Sequence, residues 1–155
     1  MSREKQYRPN VAAVIVSSKY PQKKEIFIAQ RKDFTDSWQF PQGGIKNGED
    51  VKEALFRELE EEIGTNKIEI ITEYPDWLTY DFPDEIKKVK PWLGQRQKYF
   101  LVRLQEDAVI NVETQNPEFS DYKFIKVDEI FKLCVGFKQD IYHKVIKYFQ
   151  EEKLL

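Results

Sequence analysis

The sequence predicts an α+β fold in which a mixed β-sheet carries helices packed on its faces. Three observations lead there. Short apolar or alternating runs open the chain, a charged segment of helical period interrupts them at Asp50–Ile63, and further such runs precede a second helical segment at Lys138–Glu152. No repeat, linker or low-complexity stretch divides the chain, so residues 1–155 read as one domain, long enough to bury a core.

Asn10 to Ser17 (NVAAVIVS) is short and rich in Val and Ile, the pattern of a buried strand. Pro21 to Lys24 makes a polar turn, and Glu25 to Arg31 (EIFIAQR) alternates as a returning strand. Lys32 to Ser37 is a polar loop before a short strand, Trp38 to Phe40, stopped by Pro41. Gln42-Gly43-Gly44 is expected to turn and to let the backbone approach another group closely. Asp50 and Glu53 have capping-box spacing for the first helix, and Gly64 stands where a left-handed C-cap is expected. Ile68 to Tyr74, Trp77 to Asp81, Arg96 to Leu104 and Asp121 to Val127 read as strands, with Gln105 to Glu113 as a hairpin continuation. Phe82 to Gly94 has no period and reads as a loop. Asp128 is expected to cap a short helix. In the last segment Ile141, Val145, Ile146 and Phe149 recur at helical spacing, which leaves His143 on the surface.

Apolar residues make up 41% and charged ones 34%, the composition of a folded soluble chain rather than a disordered one. The longest apolar run, Val11 to Val16, is too short to span a bilayer, and no small-residue cleavage site follows it, so neither a membrane span nor a signal peptide is expected. A lone cysteine, Cys134, cannot form an internal disulfide and fits a reducing cytoplasm. The net charge of −2 and a pI of 5.6 exclude an extended basic footprint for long nucleic acid, while leaving room for a local grip on a nucleic-acid end.

The first helix carries Glu58, Glu60, Glu61 and Glu62. At about 100° per residue, Glu58, Glu61 and Glu62 share one arc of roughly 100° and Glu60 points away. Leu55, Phe56, Leu59 and Ile63 form the adjoining apolar stripe. Like charges so placed destabilise a helix unless positive charge holds them together, and clustered carboxylates suit Mg²⁺ or Mn²⁺. Alone, the run reads rather as a solvated acidic face, the usual fate of a glutamate run.

Fixed spacing decides between these readings. Gly43, Glu49, Arg57-Glu58-Leu59, Glu61-Glu62 and Gly64 stand at the intervals of the Nudix box, and the chain resembles the Nudix hydrolase family. Only Thr65 departs, where a bulky aliphatic residue is usual. Similarity to bacterial RNA 5′-pyrophosphohydrolases and plant-type diadenosine tetraphosphate hydrolases extends through Tyr7-Arg8-Pro9-Asn10-Val11, Ser37 to Gly44, Trp77-Leu78-Thr79-Tyr80, Gly94 to Lys98, Pro117-Glu118-Phe119 and Phe137-Lys138.

The resemblance implies the Nudix fold, an α/β/α sandwich. It implies hydrolysis of a phosphoanhydride with Mg²⁺ (Mn²⁺ or another divalent cation substituting), two or three ions per site. Glu58, Glu61, Glu62 and Glu118, with the Gly43 carbonyl, would be the metal ligands. Such ions neutralise phosphate oxygens and activate water. Glu58 or Glu118 would be the general base. Arg57, four residues before Glu61, would pair with it, and Glu49 would brace Arg57. Ala54 would leave room for substrate. Arg8 and Phe137 would flank a nucleobase, and Lys138, Lys98, Gln95, Lys32 and Ser37 would meet phosphate oxygens. The leading substrate is the 5′-triphosphate end of RNA, converted to a 5′-monophosphate and so committed to degradation. The alternatives are a dinucleoside polyphosphate such as diadenosine tetraphosphate, or a catalytically silent nucleotide-sensing module. Some bacterial relatives associate with diaminopimelate epimerase, which would be a protein activator.

Overall fold

In the computed structural model, which describes residues 6–33 and 37–155, eight strands form one mixed sheet. The strands are β1 (Gln6–Val16), β2 (Glu25–Arg31), β3 (Trp38–Gln39), β4 (Gln42–Gly44), β5 (Ile68–Glu73), β6 (Leu78–Asp81), β7 (Trp92–Leu104) and β8 (Phe119–Lys126). The helices are α1 (Val51–Ile63), α2 (Asp84–Lys87), α3 (Ile130–Leu133) and α4 (Gln139–Glu151), with a 3₁₀ turn at Val127–Glu129. The sheet runs β3-β2-β1-β7-β5, with β4 on β1, β6 on β7 and β8 on β2. Its spine is the parallel pair β1–β7, in register from Tyr7 opposite Gly94 to Val16 opposite Arg103 after a one-residue shift at Gln6; every other pair is antiparallel.

Successive side chains of β1 leave opposite faces of the sheet. Val11, Ala13 and Ile15 join Leu55, Leu59 and Ile63 of α1 and Phe100 in one core. Ala12, Val14 and Val16 join Phe40, Tyr99 and the buried face of α4 (Ile141, Tyr142, Val145, Ile146, Phe149) in the other. The expected helices and their buried stripes are therefore present, on opposite sides of the sheet. His143 is exposed and lies flat on Phe131, with ring centroids 3.6 Å apart; Cys134 is buried, which pushes its thiol up to about 12.

Several local expectations change. Gln42–Gly44 is a strand paired to β1 rather than a turn, and Phe40 lies just outside β3. Within Phe82–Gly94, Pro83 precedes the four-residue α2, and β7 begins at Trp92. Gln105–Glu113 forms no strand; it packs past the end of α1, with Val112 buried and the Asn111 amide donating to Ile63 O. Asp128 lies inside the 3₁₀ turn instead of capping a helix. Ala54 is fully buried in the α1 core, so its small side chain serves helix–sheet contact and does not face a ligand.

Candidate active site

Local sequence fixes where α1 begins and ends. The Asp50 side chain accepts a hydrogen bond from Lys52 N at 3.1 Å, and Gly64, at φ 77°, donates to Glu60 O. Between them Arg57 is a hub. It makes a two-pronged contact with Glu49 (Nε to Oε2 2.7 Å, Nη2 to Oε1 2.8 Å) and also donates to Gly44 O, Glu58 Oε1 and, at 3.2 Å, Glu61 Oε2. Glu49 is itself held by the Lys46 amide. The Arg57 hydrogen bonds hold Glu49 down at about 2, and the Arg57 guanidinium is raised in turn.

The carboxylates gather around β4. Prolines bound this strand: Ala13 N donates to Pro41 O, and Ile45 N to Pro9 O. The two-residue period of an antiparallel ladder makes Val11–Gly43 the mutually bonded pair between them. One lone pair of the Gly43 carbonyl is thus engaged by Val11, and one remains. Gln42 and Gly44 turn their backbone groups outward. The Gln42 N–H meets the Glu62 carboxyl, and Gly44 O meets Arg57. A methyl group at Gly43 would overlap the Glu58 carboxylate, so glycine is required for that approach.

Glu62 is 4% exposed, and its Oε2 has no protein hydrogen-bond partner. Burial raises its pKa well above the usual range, with the neighbouring Glu118 and then Glu58 carboxylates adding to the effect. Glu58 is also raised, chiefly by burial, against the opposing bond from Arg57. Glu118 is exposed just before β8, where its carbonyl accepts the Lys32 amide at 2.8 Å. Glu61 is exposed beside Arg57, and Glu60 lies outside the cluster, bonded to Asn66.

A buried oxygen without a partner, mutually repelling carboxylates and a cradle open only to glycine fit a hard divalent cation. Among the described residues, no three acidic, histidine or cysteine side chains stand close enough together to hold a metal ion. The set is gathered, with Glu58 drawn toward Arg57.

Lys138, half-buried at the start of α4, completes the electrostatics. Desolvation and then the charge of Arg31 lower its pKa to about 8, while Glu62 and Glu118 pull the other way. Its ammonium stands 3.5 Å from Gln39 Oε1 and 6.0 Å from the Tyr80 ring. Phe137, 45% exposed, packs against Tyr80 at 5.6 Å, and the Tyr80 hydroxyl donates to Gln95 Oε1. Gln95 is opposite Arg8 in the β1–β7 ladder, and the Arg8 guanidinium lies over Gly44. Arg8, Gln95, Tyr80 and Phe137 therefore form a strip across three neighbouring strands.

Lys98 is not brought into this group. Its ammonium binds Tyr74 O (2.8 Å) and Pro75 O (3.2 Å) near Glu73, and it lines a separate cavity of 360 Å³ with Asp50, Trp77 and Phe100. Lys32 touches the site through its backbone alone, and Ser37 O accepts Arg31 N. Sequence reasoning missed Arg31, Tyr80 and Gln39, which act on Lys138 through space. Gln39 and Tyr80 stand in segments that carry the resemblance but were given no role, and Arg31 was signalled only by its place in the returning strand.

The NUDIX domain family matches residues 6–145, so the chain belongs to the Nudix family and is a Nudix hydrolase. The RNA pyrophosphohydrolase of Campylobacter jejuni subsp. jejuni (strain 81-176) is 61% identical over 153 residues, covering 98% of each chain. That of Helicobacter pylori (strain P12) is 51% identical over 152 residues, covering 97% of this chain and 98% of the relative. Two solved structures share the fold. The dihydroneopterin triphosphate pyrophosphohydrolase of E. coli has a TM-score of 0.68 at 19% identity, covering 92% of this chain and 99% of its own. An Ap4A hydrolase of C. elegans has a TM-score of 0.67 at 18% identity, covering 93% of this chain and 97% of its own.

Proposed function

We propose that this Nudix hydrolase is an RNA 5′-pyrophosphohydrolase, converting a 5′-triphosphate RNA end to a 5′-monophosphate in the cytoplasm. The observation that carries this reading is end-to-end kinship, at 51% to 61% identity, with proteins of that name. Water adds to phosphorus, the phosphoanhydride P–O bond breaks, and pyrophosphate leaves with the bonding pair; the water proton passes to a carboxylate oxygen of Glu58 or Glu118. Glu58, Glu61, Glu62 and Glu118, with the remaining lone pair of Gly43 O, would hold Mg²⁺ or Mn²⁺, two or three ions per site. Bound there, the cation supplies neutralisation of phosphate oxygens and acidification of water.

Arg57 fixes the rotamers of Glu58 and Glu61 through the bonds described above. Lys138, a desolvated cation beside Glu62 and Glu118, meets the terminal phosphates. Arg8 and the exposed ring of Phe137 hold the first bases, an arrangement supported by the strip they share with Gln95 and Tyr80.

The test presents a 5′-triphosphorylated RNA oligomer and diadenosine tetraphosphate in competition with Mg²⁺, and identifies products by chromatography. Preferred release of pyrophosphate from RNA is expected; a tenfold preference for the dinucleotide in specificity constant overturns the assignment. Glu58→Gln should remove most turnover on either substrate while leaving the circular dichroism spectrum unchanged.

A further inference from the structure

β4 is only three residues long and, among the described residues, pairs with β1 alone, yet it carries the backbone against which both Glu58 and Glu62 are placed. The prolines at 9 and 41 deprive the ends of that ladder of donors. Something besides the ladder must hold such a strand steady. On the opposite sheet face, Gln97 is 1% exposed, and its Nε2 lies 2.9 Å from both Gln42 Oε1 and Asn10 Oδ1. Its Oε1 accepts the Tyr99 hydroxyl at 2.9 Å. Reversing these amides leaves the same heavy atoms in contact. One buried side chain on β7 thus reaches across β1 to grip β4.

We propose that Gln97 is a positioning residue for the cation site: by holding the Gln42 side chain it fixes the outward Gln42 N–H on Glu62 and keeps the Gly43 cradle against Glu58. The inference rests on the reading that these carboxylates bind a divalent cation. Outer groups that orient metal ligands are worth about 10- to 100-fold in metal affinity or activity. The grip is indirect, so the lower end of that range applies here.

The experiment measures Mn²⁺ binding by electron paramagnetic resonance on the full chain without RNA, alongside the Mg²⁺ dependence of turnover. Gln97→Met and Gln42→Met break the same contact from either side and should each weaken Mn²⁺ binding about tenfold. The half-saturating Mg²⁺ concentration should rise by a similar factor, with kcat at saturating Mg²⁺ near that of the unaltered protein. Tyr99→Phe removes a buried hydrogen bond of the same network but spares the contact with Gln42, so Mn²⁺ binding within twofold of the unaltered protein is expected. If Gln97→Met does not fold, Gln42→Met, at a half-buried edge position, decides the matter. Unchanged Mn²⁺ affinity in folded Gln42→Met overturns the inference, as does an equal loss in Tyr99→Phe. Failure of the unaltered protein to bind Mn²⁺ overturns the cation reading beneath it. A preference for the dinucleotide over RNA leaves the Mn²⁺ result to stand by itself.

Discussion

Two residues show how the site is held. Gly43 sits at an ordinary strand position, so alanine there strains nothing in the backbone, but its methyl group would displace the Glu58 carboxylate. Gly43→Ala is therefore expected to unfold within about 1 kcal/mol of the unaltered protein, since a flexible side chain can swing aside. Its Mn²⁺ binding should fall by an order of magnitude or more, so paired urea titration and Mn²⁺ titration check the separation. Glu49 gives a prediction in pH. Its folded pKa, about 2, lies below the ordinary 4.5 because of Arg57, so the unfolded chain binds the proton more readily. The stabilisation is fully present above about pH 4.5 and is lost as pH falls toward 2. In Glu49→Gln the urea midpoint should depend less steeply on pH across that window than in the unaltered protein.

At the scale of elements, α1 is set by its ends. Gly64 lies in the left-handed region at φ 77°, and a Cβ there would meet Asn111 O at 2.7 Å. Gly64→Ala should lower unfolding free energy by about 1–2 kcal/mol or more, with turnover per folded molecule unchanged, as read from denaturation and active-site-normalised rates. This helix was legible because its signals are local: the Asp50 cap, the apolar stripe and Gly64 all lie within one turn of what they control. β4 was not, because its partners Asn10 to Ala12 lie some thirty positions away and glycines carry no pattern. α2 escaped for a related reason, being one turn long with no buried residue to give a period. Arg57 and Glu61 could be paired from i,i+4 spacing, and Glu49 with Arg57 through the family resemblance. Lys98 could not be placed, since alternation along β7 assigns it a face but not the carbonyls of Tyr74 and Pro75 that take its ammonium.

At the scale of the molecule, β1 separates two cores, with α1 behind the carboxylates and the turn leading into α4 supplying Phe137 and Lys138 from the other side. The site is assembled where these halves meet at β4, and the net charge of the whole is −2. An RNA end would be gripped at its terminal phosphates and first bases only. The logarithm of RNA affinity against the logarithm of salt should accordingly have a slope of about −2 to −3, as expected for three or four phosphate contacts on a single strand. A slope near −6 would mean an extended track that this surface does not offer.

The outward groups of β4 have one more effect. A short strand bonded on a single side is ordinarily a template on which another chain can add itself, and proteins must blunt such margins. Here the Gln42 N–H is taken by Glu62 and Gly44 O by Arg57. The margin is sealed by the side chains of α1 itself. A variant that lost Arg57 would thus forfeit more than the placement of Glu58 and Glu61: it would uncover an open seam, and self-association with time and concentration would be its second phenotype.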